Sequence, residues 1–169
     1  MGLELREFTL ADEKAARAAH EQLMAEGFDF LGAAALLSPD WAGVAQCYRD
    51  WASGINLPAG YVPCLTLAAV VGGEFVGRTS IRLGLNDFLA TRGGHIGYAV
   101  VPQHRRRGYA TEILRQSLAL IASHGVSPVL VTCDDANVGS AKVIERNGGV
   151  LESVVDDVGE GRYRRYWIG

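Results

Sequence analysis

Apolar residues alternate at the start of the chain, where Leu3, Leu5 and then Phe8 predict a short strand ending at Thr9. The period then lengthens. Ala11 to Glu26 reads as a helix with Leu23 and Met24 on its apolar side and Gly27 as its stop. Asp40 is placed to cap a second helix running from Trp41 to about Ser53 and ended by Gly54. The rest of 28–63, punctuated by Gly32, Pro39, Pro58, Gly60 and Pro63, reads as loop. Cys64 to Val71 and Glu74 to Leu83 are β-rich runs joined by the hairpin turn Gly72-Gly73.

A loop over Gly84 to Gly94 leads into a strand from His95 to Val101, closed by Pro102. Gly108 to His124 carries Ile113, Leu114, Leu118 and Ile121 at helical spacing. Ser127 to Cys133 is nearly continuously apolar, as expected of a strand covered on both faces. Asn137 to Asn147 is a short helix stopped by Gly148-Gly149. Two last strands, Val150 to Val155 and Arg162 to Ile168, flank a turn at Gly159 to Gly161. The order β-α-α-β-β-β-α-β-α-β-β, without repeat or linker, predicts one mixed α/β (α+β) domain over residues 1–169.

Composition narrows the function more than the fold. With 49% apolar and 21% charged residues, the chain has the makings of a packed core. Its net charge of −3 disfavours sequence-independent nucleic-acid binding. The C-terminal Arg162-Tyr163-Arg164-Arg165-Tyr166-Trp167 interleaves bases and aromatics, but strand alternation divides them between two faces. No nucleic-acid partner is expected. Cys47, Cys64 and Cys133 lie far apart without metal spacing, so no metal is expected and the thiols read as reduced. No apolar run approaches membrane or signal length, which predicts a cytoplasmic protein without a membrane partner.

The chemistry concentrates in Ile96 to Leu114, IGYAVVPQHRRRGYATEIL. A strand enters a basic loop with glycine, and the loop opens a helix. Gly108 and the small Ala110 allow close approach of an anion, and the first helical N–H groups lack intrahelical partners. With Arg105, Arg106 and Arg107 alongside and a hydroxyl at Thr111, the loop is a pyrophosphate site. A solvated arginine run before an ordinary helix is the bland account. The Gly-x-x-x-x-Gly-Lys-Ser/Thr loop of nucleoside triphosphatases is absent, and Gly93, Gly94 and Gly97 precede a strand instead of a helix, which excludes a dinucleotide fingerprint.

Arg105-x-x-Gly108-x-Ala110 between strand and helix resembles the acetyl-CoA signature of the GNAT superfamily of N-acetyltransferases. Asn137-x-x-Ser140 followed by Glu145-Arg146-Asn147-Gly148-Gly149 resembles its second motif, and the element order agrees from Leu3 to Ile168. The Asn-x-x-Ser form and Val143-Ile144 are most similar to ribosomal-protein-alanine acetyltransferases. Leu57 through Gly94-His95-Ile96-Gly97-Tyr98 also resembles uncharacterised bacterial predicted acetyltransferases.

The resemblance implies a central, mostly antiparallel mixed sheet of about six to seven strands flanked by about four helices. It implies acetyl-CoA as co-substrate, a small-molecule or peptide amine as acceptor, and a possible homodimer. Ala99, Val100 and Val101 would pair with the pantetheine arm, and an N–H near Val100 would hold the thioester oxygen. The N–H groups of Arg105, Arg106, Arg107, Gly108, Tyr109 and Ala110 would hold the pyrophosphate. Asn137 would contact pantetheine or water, with Ser140 near the sulfur.

Two positions depart from the pattern. Many relatives carry a tyrosine acid seven residues after the motif asparagine, where this chain has Ile144, leaving Ser140 or a water to protonate the thiolate. Many carry a glutamate base where this chain has His95, which is either a general base or a strand-start histidine bonded to a loop carbonyl. These departures keep a non-catalytic acyl-CoA-binding module open as the alternative. For the acceptor, Trp41, Tyr48, Trp51 and Tyr61 form either a substrate wall or core and lid packing. Asp87, Asp134 and Asp135 either attract a cationic amine or, for the latter two, cap the Asn137 helix.

Overall fold

The computed structural model describes residues 2–159 and 161–169. Residue 160 of the turn expected over Gly159 to Gly161 lies outside them. Four antiparallel strands form the first sheet in chain order: β1 (Leu3–Arg6), β2 (Cys64–Val71), β3 (Glu74–Arg82) and β4 (Ile96–Val100). The second sheet holds β5 (Val129–Asp134), β6 (Val150–Asp157) and β7 (Gly161–Ile168) in the order β5-β7-β6. The seven strands are as many as expected, and they divide into two sheets between β4 and β5.

Three helices cover one face of the first sheet: α1 (Glu13–Met24), α2 (Ala33–Leu37) and α3 (Trp41–Ala52). They share a core with Phe8, Phe30, Val70 and Phe75, where Phe8 meets the rings of Trp41, Tyr48 and Phe75 at 5.3 to 5.9 Å. On the other face lies α4 (Tyr109–Ser123), with Ile113, Leu114 and Ile121 fully buried. Each such side chain contributes roughly 1.5–3 kcal/mol of burial. Within that face Ser117 donates to the Ile113 carbonyl at 2.8 Å and pairs with Thr79 Oγ at 2.9 Å, which satisfies two buried hydroxyls. The last helix, α5 (Val138–Arg146), packs against α4 and β5.

Several boundaries differ from the expected ones, for local reasons. Helix α1 begins at Glu13 because Leu10–Asp12 forms a tighter turn first. There Asp12 accepts from Thr9 and is clamped by Arg6 at 2.7 and 2.8 Å. Helix α2 falls within the segment read as loop; its AAALL run is too short to show a helical period. Leu89–Gly93, also read as loop, forms one wide helical turn started by the Asn86 side chain accepting from Leu89 N–H. The closing C-terminal strands separate the aromatics as alternation predicts, and the bases there have acidic partners: Arg162 and Arg164 on Asp135, Arg165 on Glu152.

Candidate active site

The two sheets touch at one junction and then diverge. His95 N–H donates to the Leu130 carbonyl at 2.7 Å, and Leu130 N–H donates to His95 Nδ1 at 2.9 Å. Gly94 just before it has φ 65°, and a side chain there would meet the Leu130 carbonyl at 2.8 Å. Beyond this junction β4 belongs to one sheet and β5 to the other, leaving a cleft of about 230 Å³ lined by Tyr98, Cys133, Asn137 and Ser140.

Strand register decides which backbone groups face the cleft. Arg82 N–H donates to the His95 carbonyl and Val101 N–H to the Val76 carbonyl, so the odd positions of β4 spend their polar groups on β3. Val101 N–H is therefore taken, and Ala99 has the same orientation. Of the three residues expected to pair with pantetheine, Val100 alone turns its N–H to the open edge; its carbonyl accepts from Arg105 Nε at 3.2 Å.

The basic loop follows β4 and leads into α4. Arg106 and Gly108 both have positive φ, 63° and 81°, which turns successive amides inward. Among the described residues, the backbone N–H groups of 106 to 111 find no backbone acceptor. That set fits an anion such as a pyrophosphate, as the sequence leads one to expect. The arginine side chains do not act together, however. Arg105 is bound to both oxygens of Glu26 at 2.6 and 3.2 Å, and Arg107 donates to the Gln103 carbonyl at 3.3 Å. Arg106 is exposed.

Across the cleft, Asn137 Oδ1 accepts from Ser140 N–H at 3.0 Å and so caps α5. Ser140 Oγ lies 2.8 Å from the Tyr98 hydroxyl. Burial pushes the Tyr98 phenol above its ordinary value and Cys133 above that of a free thiol, so both stay protonated. Ile144, standing where relatives carry tyrosine, is fully buried in the core. Tyr98 is a candidate residue of the cleft that motif comparison missed. Its signal was the alternation of β4, which sends residues 96, 98 and 100 to one face.

His95 is 6% exposed, and burial followed by the charge of Arg82 lowers its pKa. With Nδ1 accepting from Leu130, the neutral ring carries its proton on Nε2, and no lone pair remains to take another.

The acceptor residues divide. Trp41 belongs to the core and donates to the Thr9 carbonyl at 2.8 Å. Tyr48, Trp51 and Tyr61 instead line a second cavity of about 400 Å³ on the α3 face of the first sheet. Asp135 is held by Arg162 and Arg164, and Asp134 lies 3.6 Å from Arg92. Neither aspartate lines that chamber, and Asp87 does not either. Gly97 stands between the two cavities: it lines the cleft, while a side chain there would point at Ser80 Oγ (3.2 Å) and Arg82 (3.6 Å), whose residues line the chamber.

The acetyltransferase (GNAT) domain model matches residues 3–150. The chain belongs to the GNAT acetyltransferase family. Among solved structures, Mycobacterium smegmatis RimJ in complex with CoA-disulfide matches with a TM-score of 0.73 at 20% identity, over 98% of this chain and 81% of that one. A RimL ribosomal L7/L12 α-N-protein acetyltransferase, in complex with coenzyme A as a disulfide to one of its cysteines, matches at 0.71 and 16%, over 98% and 92%. A Salmonella typhimurium acetyltransferase that modifies the N-terminal serine of the ribosomal protein L7/L12 matches at 0.69 and 16%, over 98% and 93%. At these identities the likeness concerns the GNAT fold. No curated protein sequence matches. Among the described residues, no helix is long and apolar enough to cross a membrane, and no group of three or more His, Cys, Asp or Glu side chains is placed to hold a metal.

Proposed function

We propose that residues 1–169 form an acetyl-CoA-dependent N-acetyltransferase in which an amine attacks the thioester directly. The observation that carries this reading is the position of Gly97 between the cleft and the chamber, with an unspent N–H at Val100 and a paired hydroxyl donor at Tyr98 and Ser140. Acetyl-CoA would supply the acetyl group already activated as a thioester. The amides of Arg106, Arg107, Gly108, Tyr109, Ala110 and Thr111 would hold its pyrophosphate, and the open edge of β4 at Val100 its pantetheine arm.

The residues then divide the work. Val100 N–H is the donor for negative charge developing on a carbonyl oxygen. Ser140 Oγ passes a proton to a departing thiolate as it receives one from the Tyr98 hydroxyl, and Tyr98, kept protonated by burial, is resupplied through water with the proton the amine has shed. Asn137 holds Ser140 by capping its helix. His95 fastens β4 to β5 and leaves the amine to lose its proton to water. An α-amine with an ordinary value of about 8 is already roughly a tenth neutral near pH 7, whereas lysine near 10.4 is almost wholly protonated. The site therefore favours α-amines.

The test is thiol release from acetyl-CoA across small amines, amino acids and N-terminal peptides. Tyr98→Phe is expected to lower kcat roughly 10- to 100-fold while CoA affinity stays at the wild-type value. CoA binding without amine-stimulated release from any acceptor would overturn the enzymatic reading.

A further inference from the structure

The chamber beyond Gly97 carries a charge that nothing in the cofactor chemistry uses. Strand alternation on β3 sends Arg78, Ser80 and Arg82 to its floor, opposite Thr66 and Cys64 of β2. Among the described residues, neither arginine has a carboxylate within ion-pairing distance. Arg78 lies over the rings of Phe28 and Phe30 at 5.8 and 5.2 Å, its Nη2 reaches only the Asp29 carbonyl at 3.4 Å, and its buried Nε has no partner. Arg82 donates through Nη1 to the carbonyls of Gly93 and Gly94 at 3.2 and 3.3 Å. Burial holds both guanidiniums below the ordinary arginine value.

Both arginines are half-buried, and cations withdrawn from water are normally paired, because removing them unpaired is costly. Among the described residues, the one carboxylate lining the chamber is the exposed Asp29, which is turned to Gly32 N–H at 2.8 Å and faces His20 at 3.7 Å. A polyamine would meet repulsion from this floor. A guanidinium fork instead matches a planar carboxylate. The aromatic walls of Tyr48, Trp51 and Tyr61 and a volume of about 400 Å³ suit a molecule of amino-acid size.

We infer that Arg78 and Arg82 bind the carboxylate of the acceptor, so that the acceptor is a small α-amino acid whose amine is directed toward Gly97. This rests on the acetyltransferase reading above.

The experiment uses the intact protein without acetyl-CoA. Its thermal shift is read with each standard amino acid, its carboxamide, its decarboxylated amine, and phosphoethanolamine with inorganic phosphate, at matched ionic strength. At least one amino acid is expected to raise Tm, and its carboxamide to bind tenfold or more weakly. Arg78→Met should remove that response while keeping wild-type CoA affinity. Arg82→Lys, which keeps a donor for the Gly93 and Gly94 carbonyls, should weaken it. Equal binding of acid and carboxamide would overturn the inference. So would a response to phosphate compounds alone, or no response to any amino acid. Failure of thiol release with an amino acid that binds through Arg78 would count against acetyl transfer and leave the carboxylate site standing. Release with uncharged amines as fast as with amino acids would do the reverse.

Discussion

On the proposed cofactor side of β4 the groups on offer are backbone: the N–H of Val100 and the amides of 106 to 111 without a backbone acceptor among the described residues, set by register and by two positive φ values. On the proposed acceptor side they are side chains brought from separated segments: Asp29 before α2, Tyr48 and Trp51 on α3, Tyr61 in the loop before β2, and Arg78 and Arg82 on β3. Backbone recognition demands small residues and fixed spacing, so it leaves a local trace in the chain. Side-chain recognition demands only that distant residues converge, so it leaves none.

The sharpest way to break this contrast is at Gly108. No atom lies within 4 Å of where its side chain would begin, so the space is open and only the conformation, φ 81°, resists substitution. A β-branched residue there costs about 1–2 kcal/mol in backbone strain and would also intrude where an anion approaches the amides. Gly108→Val is expected to weaken CoA binding by well over tenfold, measured by calorimetry, with only a modest fall in Tm. Unchanged affinity would mean that the orphan amides are not the anion site.

The same contrast explains what could be read in advance. The glycine turn of the basic loop, the helix that starts near Asn137 and most strands were legible, because Gly108 and the apolar periods act within a few residues of themselves; the cap expected from Asp134 or Asp135 is made by Asn137 instead. The role of His95 was not. Whether a histidine at a strand start binds a loop carbonyl or acts as a base depends on Leu130, 35 residues away, whose N–H takes up Nδ1. Tyr98 was overlooked because its partner Ser140 lies 42 residues on, across a cleft that exists only once the sheets diverge. The unpaired arginines were equally invisible, since an arginine on a strand gives no sign of lacking a carboxylate. Helix α2 was missed for the simpler reason that five residues cannot display a period.

His95 sharpens the contrast at intermediate size. His95→Ala would leave the Leu130 N–H buried without an acceptor, at a cost of about 1–3 kcal/mol, or a Tm lower by roughly 2–10 °C in a chain of this length. His95→Gln, which can still accept through Oε1, is expected to recover much of that loss and to keep nearly wild-type kcat. The pH dependence follows from the lowered pKa. The unfolded chain takes up the proton first, near pH 6.5, so this contribution to stability is complete above that value. It is lost as pH falls through the depressed folded-state value, and below that the slope disappears. Tm measured against pH should therefore fall more steeply in the wild type than in His95→Gln. A glutamine variant with native Tm but kcat reduced a hundredfold would restore the general-base role.

The smallest effect is expected where the two sides are tied together at the surface. Arg105 reaches back to Glu26 at the end of α1, while its Nε binds the Val100 carbonyl, so one side chain links a helix of the acceptor half to the cofactor edge. The guanidinium holds the Glu26 carboxylate below its ordinary pKa, but both side chains are more than two-fifths exposed, where water and salt screen the attraction. Glu26→Gln should leave Tm almost unchanged. It should also release Arg105 toward the anion site, tightening CoA binding by at most about fivefold at low ionic strength, a gain that fades as salt is raised. Weaker CoA binding in this variant would show that Glu26 shapes the loop through Arg105. The cofactor side would then also depend on a distant side chain, and the division between backbone and side-chain recognition at β4 would be incomplete.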